Sequence, residues 1–104
     1  MAVDTGSVEA NEYRGVWAGG PSTVTLRNTF IEQNGGTADT LNPYYGGVTT
    51  SYVSATIDMG SISVAGNNVL CGNGSPSGYL QIDSSHGGTI TNYGNTVTNG
   101  PCPQ

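Results

Sequence analysis

The chain writes much the same phrase three times. STVTLRNTFIEQNGG (22–36), GSISVAGNNVLCGNG (60–74) and GTITNYGNTVTNG (88–100) align on Asn28, Asn67 and Asn95. Each opens with a hydroxyl–aliphatic–hydroxyl triplet: Thr23-Val24-Thr25, Ser61-Ile62-Ser63 and Thr89-Ile90-Thr91. Alternation with a period of two is the pattern of a strand, so Val24, Ile62 and Ile90 are expected on one face and the hydroxyls on the other. One residue then separates the asparagine from an apolar one, which is Phe30, Val69 or Val97, and each phrase closes on Asn-Gly (34–35, 73–74, 99–100). Asparagine tolerates left-handed backbone angles and glycine frees the chain to turn, so these are read as bends. A small apolar set in each phrase becomes a core only if the next phrase repeats it directly above. The intervals are uneven but fall in the range of stacked repeats. The longer one contains GGTADTLNPYYGG, which reads as an inserted loop.

Composition limits the alternatives. Of the 104 residues, 35% are hydrophobic and 9% charged, and the net charge is only −5, too small for the charge-driven disorder that low hydrophobicity would otherwise suggest. Gly, Ser, Thr and Asn make up nearly half of the chain, lysine is absent, and alanine and leucine are scarce. The expectation is an all-β protein with essentially no helix. Residues 1–104 are read as a single β-rich domain or a fragment. Within it, 1–21 form an N-terminal cap or interface segment, 22–100 stacked β turns, and 101–104 a C-terminal tail.

Several partners and chemistries drop out. Arg14 and Arg27 stand against seven carboxylates, so no basic patch exists to neutralise phosphates and no nucleic-acid partner is expected. No apolar run approaches the length of a membrane span, so no membrane insertion is expected. MAVDTGSVEA lacks the basic start and apolar centre of a secretory signal, which fits an added start or a phage-type gene that needs no export. Cys71 and Cys102 are either a disulfide, worth roughly 3.5–4 kcal/mol by loop-closure entropy, or two free thiols. Without a Cys-x-x-Cys or a Cys/His cluster, no zinc or other metal and no cofactor is expected. Asn73-Gly74-Ser75 matches a glycosylation sequon, which matters only in a eukaryotic secretory setting.

The phrases VTLRNTFIEQNG, ISVAGNNVLCGNG and ITNYGNTVTNG resemble turns of right-handed parallel β-helix proteins, the pectate-lyase-like and phage tailspike-like architecture, over about residues 22–100. The resemblance implies a short solenoid whose open ends need capping or assembly, and a homotrimer is the assembly it favours. A β-sandwich or jelly roll is the alternative fold. The resemblance also raises polysaccharide hydrolase or lyase chemistry, which needs paired carboxylates or a calcium-binding acidic cluster with a basic arginine. The acids are Asp4, Glu9, Glu12, Glu32, Asp39, Asp58 and Asp83, none in the adjacent Asp-Asp pair of polygalacturonases. DSSHGGTI is similar to that family's Gly-His-Gly segment, with serine in place of the first glycine, while the Arg-Ile-Lys element has no counterpart. Asp83 and His86 are therefore weak catalytic candidates, read first as a turn acid and an exposed imidazole.

Aromatics give the better functional lead. Tyr44 and Tyr45 lie in the turn-rich NPYYGG, Tyr52 follows, and Trp17 lies upstream. Flat rings with polar edges suit sugar stacking, core capping and subunit interfaces alike. Trp17, Tyr44, Tyr45, Tyr52 and Asn42 are the candidate carbohydrate contacts. If the hydroxyl triplets stack, they also form a ladder resembling the flat threonine face of ice-binding solenoids. The reading preferred is a non-enzymatic, extracellular or virion-associated fibre or spike module that assembles with itself and contacts surface polysaccharide. The alternatives are a fragment of a polysaccharide hydrolase or lyase and a purely structural assembly subunit.

Overall fold

The computed structural model describes residues 1–10, 14–34, 46–75 and 78–103. Among them there is no helix. The strands are β1 (Ala2–Glu9), β2 (Arg14–Ala18), β3 (Thr23–Glu32), β4 (Gly46–Thr50), β5 (Thr56–Met59), β6 (Val69–Cys71), β7 (Gly74–Ser75), β8 (Gly78–Tyr79), β9 (Ile82–Asp83), β10 (Thr89–Asn92) and β11 (Thr96–Thr98). β3 runs the length of one sheet. β1 flanks it on one side, and β5 and β6 share the other, followed outward by β10 and β11 respectively. A second sheet has the order β2-β4-β9. Every pairing within these two sheets is parallel. A sandwich or jelly roll would be built from antiparallel neighbours. Among the described residues, antiparallel pairing is confined to the β7–β8 hairpin and a Gly60–Ala65 bridge.

Parallel pairing in register puts like above like. Val24, Ile57 and Ile90 align across β3, β5 and β10. Val8, Ile31, Leu70 and Val97 align across β1, β3, β6 and β11, and Val16, Val48 and Ile82 align across the second sheet. Leu26, Ile31, Val48, Ile57, Met59 and Leu70 are fully buried in one core that both sheets share. β-branched residues suit such half-buried pleated positions.

The middle phrase of the sequence pattern needs correcting. Thr23-Val24-Thr25 does pair in line with Thr89-Ile90-Thr91, but the triplet between them is Thr56-Ile57-Asp58. Ser61-Ile62-Ser63 lies instead in a tight loop closed by Gly60 and Ala65, and Ile62 is 86% exposed. Both triplets alternate with period two, so alternation alone does not choose between them. The expected hydroxyl ladder is accordingly interrupted: its middle outward member beside Thr25 and Thr91 is Asp58.

Phe30 and Val69 also face outward, with Phe30 half exposed, and their successors Ile31 and Leu70 are the buried residues. The cause is a change of parity at the bend. Asn28 (φ 51°) and Asn67 (φ 54°) are left-handed, as are Thr5 (φ 60°) and Gly94 (φ 70°) on the neighbouring turns. A left-handed residue breaks the in–out alternation, so Leu26 and Thr29 both point inward. The counterpart of Asn28 and Asn67 is thus Gly94, one residue ahead of Asn95.

The residues after Asn28, Asn67 and Gly94 form a largely buried polar ladder. Asn68 Oδ1 accepts from Thr29 N (3.0 Å), and Asn68 Nδ2 donates to Leu26 O (3.0 Å) and Asn95 Oδ1 (2.9 Å). Asn95 Oδ1 also accepts from Asn68 N (2.9 Å), while Asn95 Nδ2 donates to Met59 O (2.6 Å). A second ladder follows at the next bend. Asn34 Nδ2 donates to Val8 O (2.9 Å) and Asn73 Oδ1 (2.9 Å), and Asn73 Nδ2 donates to Ile31 O (2.8 Å) and Gln81 Oε1 (2.6 Å). Gly15 and Gly47 leave the room this needs, because a Cβ on either would lie 2.8 Å from the amide nitrogen of Asn34 or Asn73. On β9's side the aligned residue is Gln81, whose own carboxamide fills the next place. Cys71 and Cys102 form a disulfide that ties the C-terminal tail beside this ladder.

Two expected outcomes test this register. Ile57→Ala lowers unfolding free energy by about 2–5 kcal/mol, whereas Ile62→Ala changes it by no more than about 0.5 kcal/mol, both read from denaturant melts. Asn68→Ala orphans the buried Thr29 N–H and leaves the Leu26 carbonyl with the Arg27 guanidinium as its side-chain donor, and costs about 1–3 kcal/mol, measured in the same way.

Candidate functional site

In Arg14-Gly15-Val16-Trp17-Ala18, alternation sends Val16 and Ala18 into the core and Trp17 outward. Trp17 is 47% exposed. Its indole is nonetheless fixed, since Nε1 donates to Ser51 Oγ at 2.7 Å and the Arg14 guanidinium lies 3.9 Å from the ring centroid. A guanidinium over an indole is an attractive cation–π arrangement. Trp17 aligns with Thr49 and Thr49 with Asp83 across β2, β4 and β9, so these three form one row on the outer face of the second sheet. Thr49 is fully buried, and its hydroxyl has no hydrogen-bond partner among the described residues. The row therefore presents Trp17 at one end and Asp83 at the other. Tyr52, next to Ser51 in the chain, is 43% exposed.

Asp83 and His86 are close, with His86 Nε2 3.7 Å from Asp83 Oδ2. Their local geometry is that of a turn, because Asp83 Oδ1 accepts from Ser85 N (2.8 Å) and Ser85 Oγ (2.6 Å). A carboxylate bonded to the backbone two residues on is a turn-stabilising arrangement. Among the described acids, Asp4, Glu9, Glu32 and Asp58 all stand on strands of the other sheet. Glycoside hydrolysis needs two carboxyl groups flanking one sugar bond, and the Trp17–Thr49–Asp83 row offers one.

Of the other sequence candidates, Asn42, Tyr44 and Tyr45 lie outside the described residues, as do Glu12 and Asp39. Glu32 sits beside the disulfide, its carboxylate within 4.8 Å of both sulfurs. With the sulfurs bonded to each other, that trio offers a single carboxylate and no thiolate ligand. A groove of about 230 Å³ lies at the last turn, lined by Leu80, Gln81, Ile82, Val97 and Asn99. Sequence reasoning named Trp17 and Tyr52 but missed Arg14, Ser51 and Gln81. The recurrence of Gly-Val at 15–16 and 47–48 was the signal that would have aligned β2 with β4.

The remaining charge cluster lies on the outer face of the first sheet. Arg27 Nη2 is 3.1 Å from Asp58 Oδ1, and Nη1 donates to the carbonyls of Asp58 and Leu26 at 2.9 Å. Asp58 Oδ1 accepts further from Gly60 N (2.9 Å) and Thr91 Oγ1 (3.2 Å). The Gly60 N–H foremost, followed by Arg27 and Thr91, holds the Asp58 carboxyl below its ordinary value of 3.8 in spite of partial desolvation. These contacts tie β3, β5 and β10 together across their outer face.

No protein-family model, curated protein or solved structure matches the chain.

The Asp58 contacts carry a pH dependence with a definite sign. A carboxyl whose folded pKa is depressed stabilises the fold above its unfolded pKa, and that contribution is lost as pH falls through the folded value. Asp58→Asn is therefore expected to flatten the acid limb of stability against pH, measured by chemical denaturation from neutral pH down through the carboxylate range. An acid limb as steep as the parent's would count against the assignment.

Proposed function

We propose that the chain is a right-handed parallel β-helical module of an extracellular or virion-associated fibre or spike, non-enzymatic, which contacts surface polysaccharide and assembles with itself, a trimer being the favoured state. Support for the β-helical reading comes from the parallel in-register rows of both sheets and the carboxamide ladders at two successive bends. Crossovers between parallel strands are right-handed in almost all proteins, which gives the handedness. Self-association is supported by open edges. Among the described residues β1 is bonded on one side only, as are β10 and β11, and such edges invite pairing with another chain.

The observation that carries the ligand reading is the fixed, half-exposed Trp17, with Arg14 over its ring and Ser51 on its indole nitrogen. An apolar plate already held in one rotamer loses little side-chain freedom on binding. Hydrogen-bond donors beside an aromatic face match a sugar, which offers C–H on one side and hydroxyls at its rim. Tyr52, next to Ser51 in the chain and 43% exposed, is a second candidate ring. Asp83, held in its turn by Ser85, is an acceptor at the far end of the row.

Trp17 is the only tryptophan in the chain, so its fluorescence reports this surface alone. Surface polysaccharides added to the protein are expected to shift or quench that emission. On a glycan array, Trp17→Ala is expected to lose at least about tenfold in affinity while still unfolding in one cooperative transition. Equal array signals from parent and variant would remove the site. Light scattering gives the assembly state separately: a trimer supports the fibre reading, and a monomer removes the self-assembly part.

A further inference from the structure

The chain contains three Asn-Gly steps, Asn34-Gly35, Asn73-Gly74 and Asn99-Gly100. Such a step is a chemical weak point as well as a bend. The glycine's backbone nitrogen, unhindered by a neighbouring Cβ, can attack the asparagine side-chain carbonyl carbon. A C–N bond forms, the Cγ–Nδ2 bond breaks, and the side-chain nitrogen leaves as ammonia after taking up a proton. Water then opens the cyclic imide at either carbonyl, giving aspartate or isoaspartate. The net change is amide plus water to carboxylic acid plus ammonia, with no oxidant or reductant. The reaction requires a carboxamide free to rotate toward the following nitrogen, and a following N–H that is not engaged elsewhere.

Asn34 and Asn73 fail the first condition. Both are fully buried, and their carboxamides are locked in the second ladder by bonds of 2.6–2.9 Å. Asn73 fails the second condition too, because Gly74 N already donates to Asn34 O at 2.6 Å. Asn99 differs on each count. It is exposed, and among the described residues its carboxamide makes one long contact, Oδ1 accepting from Gln81 Nε2 at 3.4 Å. That contact polarises the carbonyl under attack and leaves the departing Nδ2 without a described partner. Gly100 has open space where a Cβ would project, and its N–H donates to no described residue. Its carbonyl is held by Gly72 N at 2.7 Å, which keeps the step bent between β11 and the Cys102 anchor.

We propose that Asn99 is a site of spontaneous intramolecular deamidation in the folded protein, and that the carboxamide ladder protects the two other Asn-Gly steps. The consequence is electrostatic. Residues 87–104 contain no Asp, Glu, Lys, Arg or His. Conversion places the first side-chain carboxylate of that stretch on the rim of the groove lined by Leu80, Ile82 and Val97.

The test incubates the native, disulfide-bonded protein at mildly alkaline pH and follows each asparagine by peptide mapping and mass spectrometry. A reduced sample in denaturant runs in parallel. The folded protein is expected to convert Asn99 to a mixture of aspartate and isoaspartate while Asn34 and Asn73 stay intact, and the unfolded sample to convert all three. Gly100→Ala, which meets no atom, is expected to slow conversion at Asn99 by roughly tenfold. The proposal is overturned if Asn99 survives in the folded protein while the unfolded control converts, or if Asn73 converts as fast as Asn99. It is also overturned if the product contains aspartate without isoaspartate.

Discussion

A carboxamide donates through its nitrogen and accepts through its oxygen from one planar group, and the fold depends on that property at its bends. Where the chain turns, its backbone groups leave the sheet ladder and would be orphaned inside the core at a cost of about 1–3 kcal/mol each. Asn68 and Asn95 at one bend, and Asn34 and Asn73 at the next, engage those groups while bonding one another. Glycine at 15 and 47 follows from the same geometry, since the ladder occupies the space a Cβ would need. Gln81 replaces glycine where its own amide can join the series. A chain with only 35% hydrophobic residues thereby secures buried bends with polar atoms and keeps its aliphatics for the layers between the sheets.

Beside this committed inside, the aligned residues on the other face of each sheet differ in chemistry from strand to strand. On the second sheet the outward row runs Trp17, Thr49, Asp83, three chemistries on one scaffold position. On the first sheet it runs Thr25, Asp58, Thr91, where Asp58 serves as a cross-strand tie through Arg27. The proposed ligand surface thus needs no special backbone. It uses the end of the row where Trp17 reaches solvent, Thr49 in the middle being fully buried.

The sequence made the all-β class legible through its composition and alternation, and Val24 with Ile90 through their matching triplets. Asparagine at the bends was also legible, though the pattern suggested turning rather than a bonded ladder. Ile62 was misassigned because period-two alternation contains no information about which strand it pairs with. That Phe30 and Val69 face outward was not legible, because the left-handed residues at 28 and 67 reset the parity, and a φ angle leaves no mark on a simple count. For the site, Trp17 and Tyr52 were named from residue type alone. Arg14 shares β2 with Trp17, three residues away, whereas Ser51 becomes its partner only when β2 and β4 lie side by side, an alignment to which the repeated Gly-Val was the one local clue.

The loop between Gly60 and Ala65 leaves the sheet and returns at adjacent positions, with Ser61 and Val64 bonded across its base. Its length is therefore decoupled from everything stacked around it. Thr25 faces Asp58 before the loop and Ile31 faces Leu70 after it, however many residues intervene. A detour of this kind can be lengthened, shortened or exchanged without disturbing a neighbouring turn. It is also why a fixed repeat length is the wrong quantity to seek in such a chain: what recurs across the parallel strands is alignment, and the length between them is free to drift.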